Sequence, residues 1–487
     1  MRRAQADSDN PLNILLGPRS VVVVGATNNP LKYGNMVVRS LERIGFQGDL
    51  YLVNAHRETV LGRPSYASVS EIPGTAEAAV IVVPAEHVPE SLRQCGRKGV
   101  RLAVVITGGF NEVDDLEGER LFEEMRAAAD RYGMRIIGPN TFGAFTPAGR
   151  FNCSFTPDFA EVKPGTISIV SQSGGVAHMM AFQAMRERFG LRCVVGVGNR
   201  LNVEFHDMVR FLGRDSGTSV IGLYLEGIEA PARLFEAAME VVPDKPVLVY
   251  KVGRSDAVQR PARSHTGSLS GRYALYRDGL RQAGMLWAES PEELMDAARL
   301  FTWEGPLRGP RVAIMSIQAG AAIMLTDLCT TMGLELAALG AETKRMIGTL
   351  LPPKTYRENP VDMGFMWMPP VFIEVAKALL DDDQVDILII YALALPGPMT
   401  DMLKFVASQV SPHRPKGKLA MLCTDIGTFS LYEDIEEIER IGIPVYLSPE
   451  RAVRSLVHRL RYERVRERLR RSFACGSPLL GDHVGNP

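Results

Sequence analysis

Val21-Val-Val-Val-Gly-Ala-Thr-Asn-Asn-Pro30, followed by Lys32 and Gly34, reads as a short strand ending in a turn of small residues that opens a helix. Four consecutive valines fit a parallel strand packed on both faces. The small residues after them let backbone N–H groups and a helix N-terminus approach a phosphate, as in the nucleotide sites of doubly wound α/β sheets. The stretch lacks a full G-x-G-x-x-G, so a dinucleotide is only weakly indicated and a plain βα turn stays open.

Outward from this turn, short β-branched apolar runs alternate with amphipathic, Ala- and Glu-rich stretches, the pattern of parallel strands joined by crossover helices. They fall into three sets. The first holds Val21–Val24, Leu50–Val53, Ala79–Val83, Leu102–Ile106 and Arg135–Ile137. The second holds Thr166–Val170, Cys193–Val197, Val220–Leu225, Val247–Tyr250 and Met285–Ala288, and the third Val312–Ser316, Leu334–Ala338, Ile387–Tyr391, Leu419–Cys423 and Pro444–Leu447. Breaker-rich stretches at Thr146-Pro-Ala-Gly149 with Lys163-Pro-Gly165, and at Glu304-Gly-Pro-Leu-Arg-Gly-Pro310, separate the sets. The expected domains are therefore 1–147, 148–306 and 307–487, the last ending in a helix from Glu450 to Phe473 whose arginines form a solvated face.

The bulk numbers agree with this division. A chain of 487 residues, 46% hydrophobic and 23% charged, has room for about three domains of ~150 residues. With 55 basic against 56 acidic residues, the overall field gives no reason to expect nucleic acid or an anionic membrane. The six cysteines are scattered without C-x-x-C spacing, so neither a metal site nor a disulfide framework is expected. The opening MRRAQADSDNPLNILLGPRS lacks an apolar segment of signal-peptide length, and no run approaches the ~18 apolar residues of a membrane span. A soluble, cytoplasmic protein is expected.

Several loops carry residue types suited to chemistry. Ile106-Thr-Gly-Gly-Phe-Asn-Glu112 and Ile137-Gly-Pro-Asn-Thr-Phe-Gly143 also follow strands, and in a doubly wound sheet they would line one crevice with the first turn. Geometry alone does not separate CoA from a dinucleotide there. Ser171-Gln-Ser-Gly-Gly-Val176 opens a helix after a strand and suits a phosphate cradle, although a plain N-cap has the same look. Ser264-His-Thr-Gly-Ser-Leu-Ser-Gly271 places an imidazole among hydroxyl and glycine residues with nothing apolar around it. A neutral histidine is a competent nucleophile toward phosphorus, and an ordinary polar loop is the alternative. Glu226 ends a strand on the same edge as the cradle, where a carboxylate could fix the imidazole tautomer. His56, His87, His178 and His206 read as structural or surface residues.

Taken in order, Pro18-Arg-Ser-Val-Val-Val-Val-Gly-Ala26, Val53-Asn54, Ile137-Gly-Pro-Asn140, Ser171-Gln-Ser-Gly174, Tyr224-Leu-Glu-Gly227, Ser264-His-Thr-Gly-Ser-Leu269 and Asn359-Pro-Val-Asp362 resemble the acyl-CoA synthetases that form ADP or GDP, the family of succinyl-CoA synthetase. The likeness runs from Leu12 to about Pro449. It implies a CoA-binding Rossmann-like domain followed by two flavodoxin-like, doubly wound domains. No residues remain for an ATP-grasp module, so the chain resembles the larger subunit of the split enzymes, working with an ATP-grasp β subunit in an α2β2-type hetero-oligomer that handles ATP, ADP and Mg2+.

Carried over by position, His265 matches the transiently phosphorylated histidine and Glu226 its stabilising carboxylate, while Ser173, Gly174 and Gly175 match the helix start that receives phosphate. Gly25, Ala26, Thr27, Lys32, Val83, Pro84, Thr107, Gly108, Asn140 and Thr141 fall where the family holds CoA. The implied reaction is reversible: acid, CoA and nucleoside triphosphate give acyl-CoA, nucleoside diphosphate and phosphate through an acyl phosphate and phospho-His265.

Departures bear on activity. Ala55 and His56 stand where the family has Pro-Lys after the asparagine, Thr141 replaces a Cys or Ser, Ser316-Ile-Gln-Ala-Gly320 replaces a glycine-rich loop, and Arg260-Pro261 precedes the histidine. They motivate an alternative, a CoA- or acyl-CoA-binding regulatory subunit without turnover. A nicotinamide-dependent dehydrogenase is indicated only by the first turn.

Overall fold

The structure, a computed structural model, describes residues 9–56, 59–112, 116–254, 273–303, 305–364, 368–425 and 431–474. Backbone packing divides the chain into two compact units, one of residues 1–185 and 189–294 and one of residues 186–188 and 295–487.

The first unit holds two sheets. The first sheet contains β1 (Ser20–Val24), β2 (Asp49–Val53), β3 (Thr59–Val60), β4 (Arg63–Tyr66), β5 (Ala78–Ile81), β6 (Leu102–Val105) and β7 (Arg135–Ile137), in the order β3-β4-β2-β1-β5-β6-β7. Pairing is parallel except between β3 and β4. The inner strands β1, β5 and β6 are buried at every position, which is why they read as unbroken apolar runs. Helix α1 (Tyr33–Arg43) returns the chain from β1 to β2 on one side, and the chain then crosses to β5 on the other. The carboxyl ends of β1 and β5 thus form a topological switch point, where loops part and leave a crevice.

The second sheet contains β8 (Ala144–Thr146), β9 (Phe151–Asn152), β10 (Pro164–Ser171), β11 (Leu191–Gly196), β12 (Val220–Leu225), β13 (Val247–Lys251) and β14 (Leu286–Trp287), in the order β14-β13-β12-β10-β11-β8-β9. Its parallel core β10 to β14 has a switch point between β10 and β12, and β8 pairs antiparallel with β11. Ala144–Thr146 lies ahead of the breaker-rich stretch at 146–149, yet is hydrogen-bonded into this second sheet. The two-residue strand β9 pairs antiparallel with β8 and extends the same edge. Helix α2 (Gly174–Glu187) follows β10, and α3 (Tyr273–Gln282) precedes β14.

The second unit is built on β15 (Arg311–Ser316), β16 (Glu335–Leu336), β17 (Val361–Asp362), β18 (Ile387–Tyr391), β19 (Leu419–Cys423) and β20 (Val445–Tyr446), all parallel, in the order β16-β15-β18-β19-β20 with β17 also beside β15. The apolar run expected as a strand over Leu334–Ala338 narrows to two residues, because this edge pairs only with the start of β15. Asn359 acts structurally: its side chain accepts from the Ile314 N–H at 2.9 Å and donates to the carbonyls of Val312 at 2.8 Å and Ala337 at 3.0 Å. Helix α4 (Pro449–Ala474) closes the described chain. No helix among the described residues is long and apolar enough to cross a membrane.

Candidate functional site

The two switch points of the first unit open into one cavity of about 1380 Å3. On the first-sheet side it is lined by Gly25, Thr27 and Lys32 after β1, Val83 and Pro84 after β5, Thr107 and Gly108 after β6, and Asn140 and Thr141 after β7. On the second-sheet side lie Ser173, Gly174 and Gly175 at the start of α2 and Glu226 after β12. Ala26 is fully buried beneath this wall and does not line the cavity. His265 lies outside the described residues, as does Arg260-Pro261.

The first turn is a backbone cradle. Gly25 has φ +97°, and a Cβ there would sit 2.8 Å from the Val82 carbonyl oxygen. A Cβ on Gly34 would lie 2.0 Å from the Gly25 carbonyl oxygen. Only glycine lets the turn and the first residues of α1 pack this closely, which leaves the helix N-terminus bare at the cavity mouth. Asn54 supports the turn, donating to the Ala26 carbonyl at 2.7 Å while accepting from the His56 N–H at 2.9 Å. The substitution of Ala55 and His56 therefore leaves this bracing intact, and both residues still line the cavity.

Thr141 lines the cavity and also ties its wall together. Its hydroxyl donates to the Gly196 carbonyl at 2.6 Å and accepts from the Gly143 N–H at 3.1 Å, and the residue is buried. The hydroxyl thus ties the loop after β7 to β11. Asn140, at φ +58°, donates to Asn199 at 3.3 Å, and Asn199 donates in turn to Asn111 at 2.8 Å and to Glu112. These amides stitch the two sheets together across the cavity floor.

At the second-sheet edge, Ser173 is the residue ahead of α2; its hydroxyl accepts from the Val176 N–H at 3.4 Å. A Cβ on Gly175 would meet nothing closer than the Ser173 hydroxyl at 3.8 Å, so the helix start has open space in front of it. That space, free N–H groups and the dipole suit an anion. Facing it, Glu226 is half-buried, and its backbone N–H and that of Gly227 both donate to the Gln172 side-chain oxygen at 3.0 Å. Burial first, and the charge of Glu226 second, hold the Tyr224 phenol protonated well above the usual range.

Some lining residues carried no signal in the sequence. His178, expected to be structural, lines the cavity within α2, its Nδ1 2.7 Å from the Gly174 carbonyl and its Nε2 2.6 Å from the Thr156 hydroxyl. Its ring stacks on Phe155 at 5.7 Å, and Phe155 stacks on Tyr33 at 4.5 Å. His56 and His87 also reach the cavity wall. Gln172 and Asn199 are buried polar residues whose roles depend on strands far apart in sequence, and only the helix-opening position of Gln172 within Ser171-Gln-Ser-Gly174 marked it.

Comparison with known proteins places this geometry. Residues 19–147 match the CoA binding domain family, and residues 164–301 match the succinyl-CoA ligase like flavodoxin domain family. The α subunit of an ADP-forming acetate–CoA ligase II from Pyrococcus furiosus is 35% identical over 90% of this chain and 95% of its own length. An ADP-forming acetate–CoA ligase I from Archaeoglobus fulgidus is 35% identical over 93% of this chain but 64% of its own. Among solved structures, an acetyl-coenzyme A synthetase 1 of Candidatus Korarchaeum cryptofilum, in complex with phosphate and ADP, superposes with a TM-score of 0.84 at 30% identity, covering 95% of this chain and 98% of that one.

Proposed function

Since this chain belongs to the family of ADP-forming acetate–CoA ligase α subunits, we propose that it binds CoA in the first-sheet crevice and carries a phosphoryl group on His265, passing it to and from a nucleotide held by a separate ATP-grasp β subunit. The part of the Archaeoglobus relative beyond the matched 64% is what such a partner would supply. A division of labour at residues 147 and 306, an α2β2-type assembly, Mg2+ and ATP on the partner, and a cytoplasmic location belong to the same reading.

The observation that carries it is the joining of two switch-point crevices into one cavity, a glycine-built phosphate cradle at Gly25 and Gly34 on one side and the bare start of α2 with Glu226 on the other. The residues present fit CoA: Gly25, Thr27 and Lys32 would take its phosphates, and Val83, Pro84 and Thr107 its chain. In the synthetic direction, phospho-His265 formed from ATP gives its phosphoryl group to the acid, leaving a neutral imidazole and an acyl phosphate. The CoA thiolate then attacks the acyl carbon, and phosphate leaves toward Ser173–Gly175, whose N–H groups stabilise its charge. Glu226 accepts the imidazole N–H, fixing the tautomer and offsetting the charge that builds on the ring.

The test is acid-labile, base-stable label from ATP on the chain mixed with its ATP-grasp partner, in wild type and His265→Asn. Label lost only in the variant supports the relay. Label equal in both, or absent in both with CoA still bound, favours the regulatory alternative.

A further inference from the structure

Lys251 is the last residue of β13, an inner strand whose Val247, Leu248 and Val249 are fully buried, and it is itself 1% exposed. A buried ammonium costs several kcal/mol unless its surroundings compensate, so an inner parallel strand ordinarily ends in an apolar residue. Here Nζ donates to the Val252 carbonyl at 2.9 Å and to the Glu226 carbonyl at 3.1 Å, and lies 5.2 Å from the centre of the Tyr276 ring of α3. Leu225 at the end of β12 is the register partner of Lys251, and the Val252 N–H donates to the Leu225 carbonyl at 3.1 Å. One side chain thus holds both the strand end that presents Glu226 and the start of the segment leading to His265.

Two carbonyls could be satisfied by a neutral donor. What the two carbonyls leave unexplained is the charge, which burial disfavours and the negative charge of Glu226 partly favours. A cation beside a carboxylate favours its ionised form, and only the ionised form accepts an imidazole N–H while balancing a charged ring.

Resting on the phosphohistidine reading above, we propose that Lys251 is a positioning residue for phosphoryl transfer: its buried ammonium, holding the Glu226 and Val252 carbonyls together, fixes the strand end that presents Glu226 and the start of the chain that leads to His265. Lys251→Met keeps the length and packing and removes the charge, whereas Lys251→Arg keeps the charge with altered geometry. Among the described residues, the charged and titratable groups that act on Nζ are Glu226 after β12 and Tyr276 on α3.

The experiment follows label from ATP into the chain in complex with its ATP-grasp partner, from pH 6 to 10, with CoA affinity measured in parallel. Lys251→Met is expected to slow labelling about 100-fold, the scale of a misplaced catalytic group, with CoA affinity unchanged. Lys251→Arg is expected to recover part of the rate and to move the alkaline fall upward in pH. Labelling of Lys251→Met within about threefold of wild type, or loss of labelling together with CoA binding, would overturn the proposal, the second outcome marking a purely structural lysine. Absence of label in wild type, or label persisting in His265→Asn, would instead remove the reading on which it rests.

Discussion

The side-chain oxygen of Gln172 accepts hydrogen bonds from the backbone N–H of Glu226 and from that of its neighbour Gly227, both at 3.0 Å. The loop after β10, which opens the anion cradle, is thereby tied to the loop after β12, which presents the carboxylate. Gln172→Leu would leave two backbone donors without an acceptor, at about 1–3 kcal/mol each if buried. A thermal midpoint lowered by several degrees and a 10- to 100-fold slower phosphoryl transfer are expected, roughly, with CoA binding retained. Gln172→Glu keeps the acceptors but sets a second carboxylate beside Glu226, so stability should return without the rate. Calorimetric titration of CoA alongside the labelling assay separates these effects.

Gly34 and Gly175 should respond oppositely to alanine. A Cβ at Gly34 lies 2.0 Å from the Gly25 carbonyl oxygen, so α1 must move off the turn that forms the CoA-phosphate cradle. Gly34→Ala is expected to weaken CoA on the order of 100-fold. Gly175 has open space, with nothing nearer than 3.8 Å, so Gly175→Ala should fold like wild type with unchanged CoA affinity. Equal losses in both variants would show that the cradle is not held by backbone contact.

Burial lowers the Lys251 pKa to about 8, with Glu226 partly opposing the shift. The unfolded chain holds this proton up to about 10.4, so between these values it binds more protons than the native state, and stability rises with pH. The burial penalty is full below about pH 8 and relieved above it. The stability of Lys251→Met relative to wild type should therefore fall by roughly 2 kcal/mol between pH 7 and 10, at about 1.36 kcal/mol per pKa unit. Denaturant titrations at the two pH values measure this, and a difference independent of pH would mean that Lys251 holds its proton as readily in the native state as in the unfolded chain.

Each unit carries a carboxylate anchored by a two-pronged arginine. Arg192 donates to Asp215 at 2.8 and 3.0 Å, and Arg311 to Asp386 at 2.8 Å twice. Burial pushes both carboxyl pKa values up, but the arginines and nearby N–H groups outweigh it and hold them below the usual range. Their stabilisation is complete above about pH 4 and lost as pH falls through the lowered native values. Because both arginines are partly solvated, Asp215→Asn and Asp386→Asn should each cost between the ~1 kcal/mol of an exposed pair and the ~3–5 kcal/mol of a buried one. Hydrogen exchange should assign the first loss to the unit built on β10 to β12 and the second to the unit built on β15 to β19.

The sequence by itself determined the α/β class, the parallel strands and the small-residue turns, because inner parallel strands are buried on both faces and must be apolar throughout, while close backbone approach demands glycine at positions such as Gly25 and Gly34. The short edge strand Thr59–Val60 left no pattern, since two residues have no periodicity, and the apolar run over Leu334–Ala338 marked the place of Glu335–Leu336 but not its length. Tertiary structure decided how the chemistry is assembled. Only the pairing of β10 and β12 at a switch point put the Gln172 side chain on the Glu226 N–H and the Lys251 ammonium on the Glu226 carbonyl, and only the β7 and β11 loops together made Thr141 a backbone tie in the cavity wall. A buried polar side chain takes its meaning from partners distant in sequence, and those partners exist only once the sheet has formed.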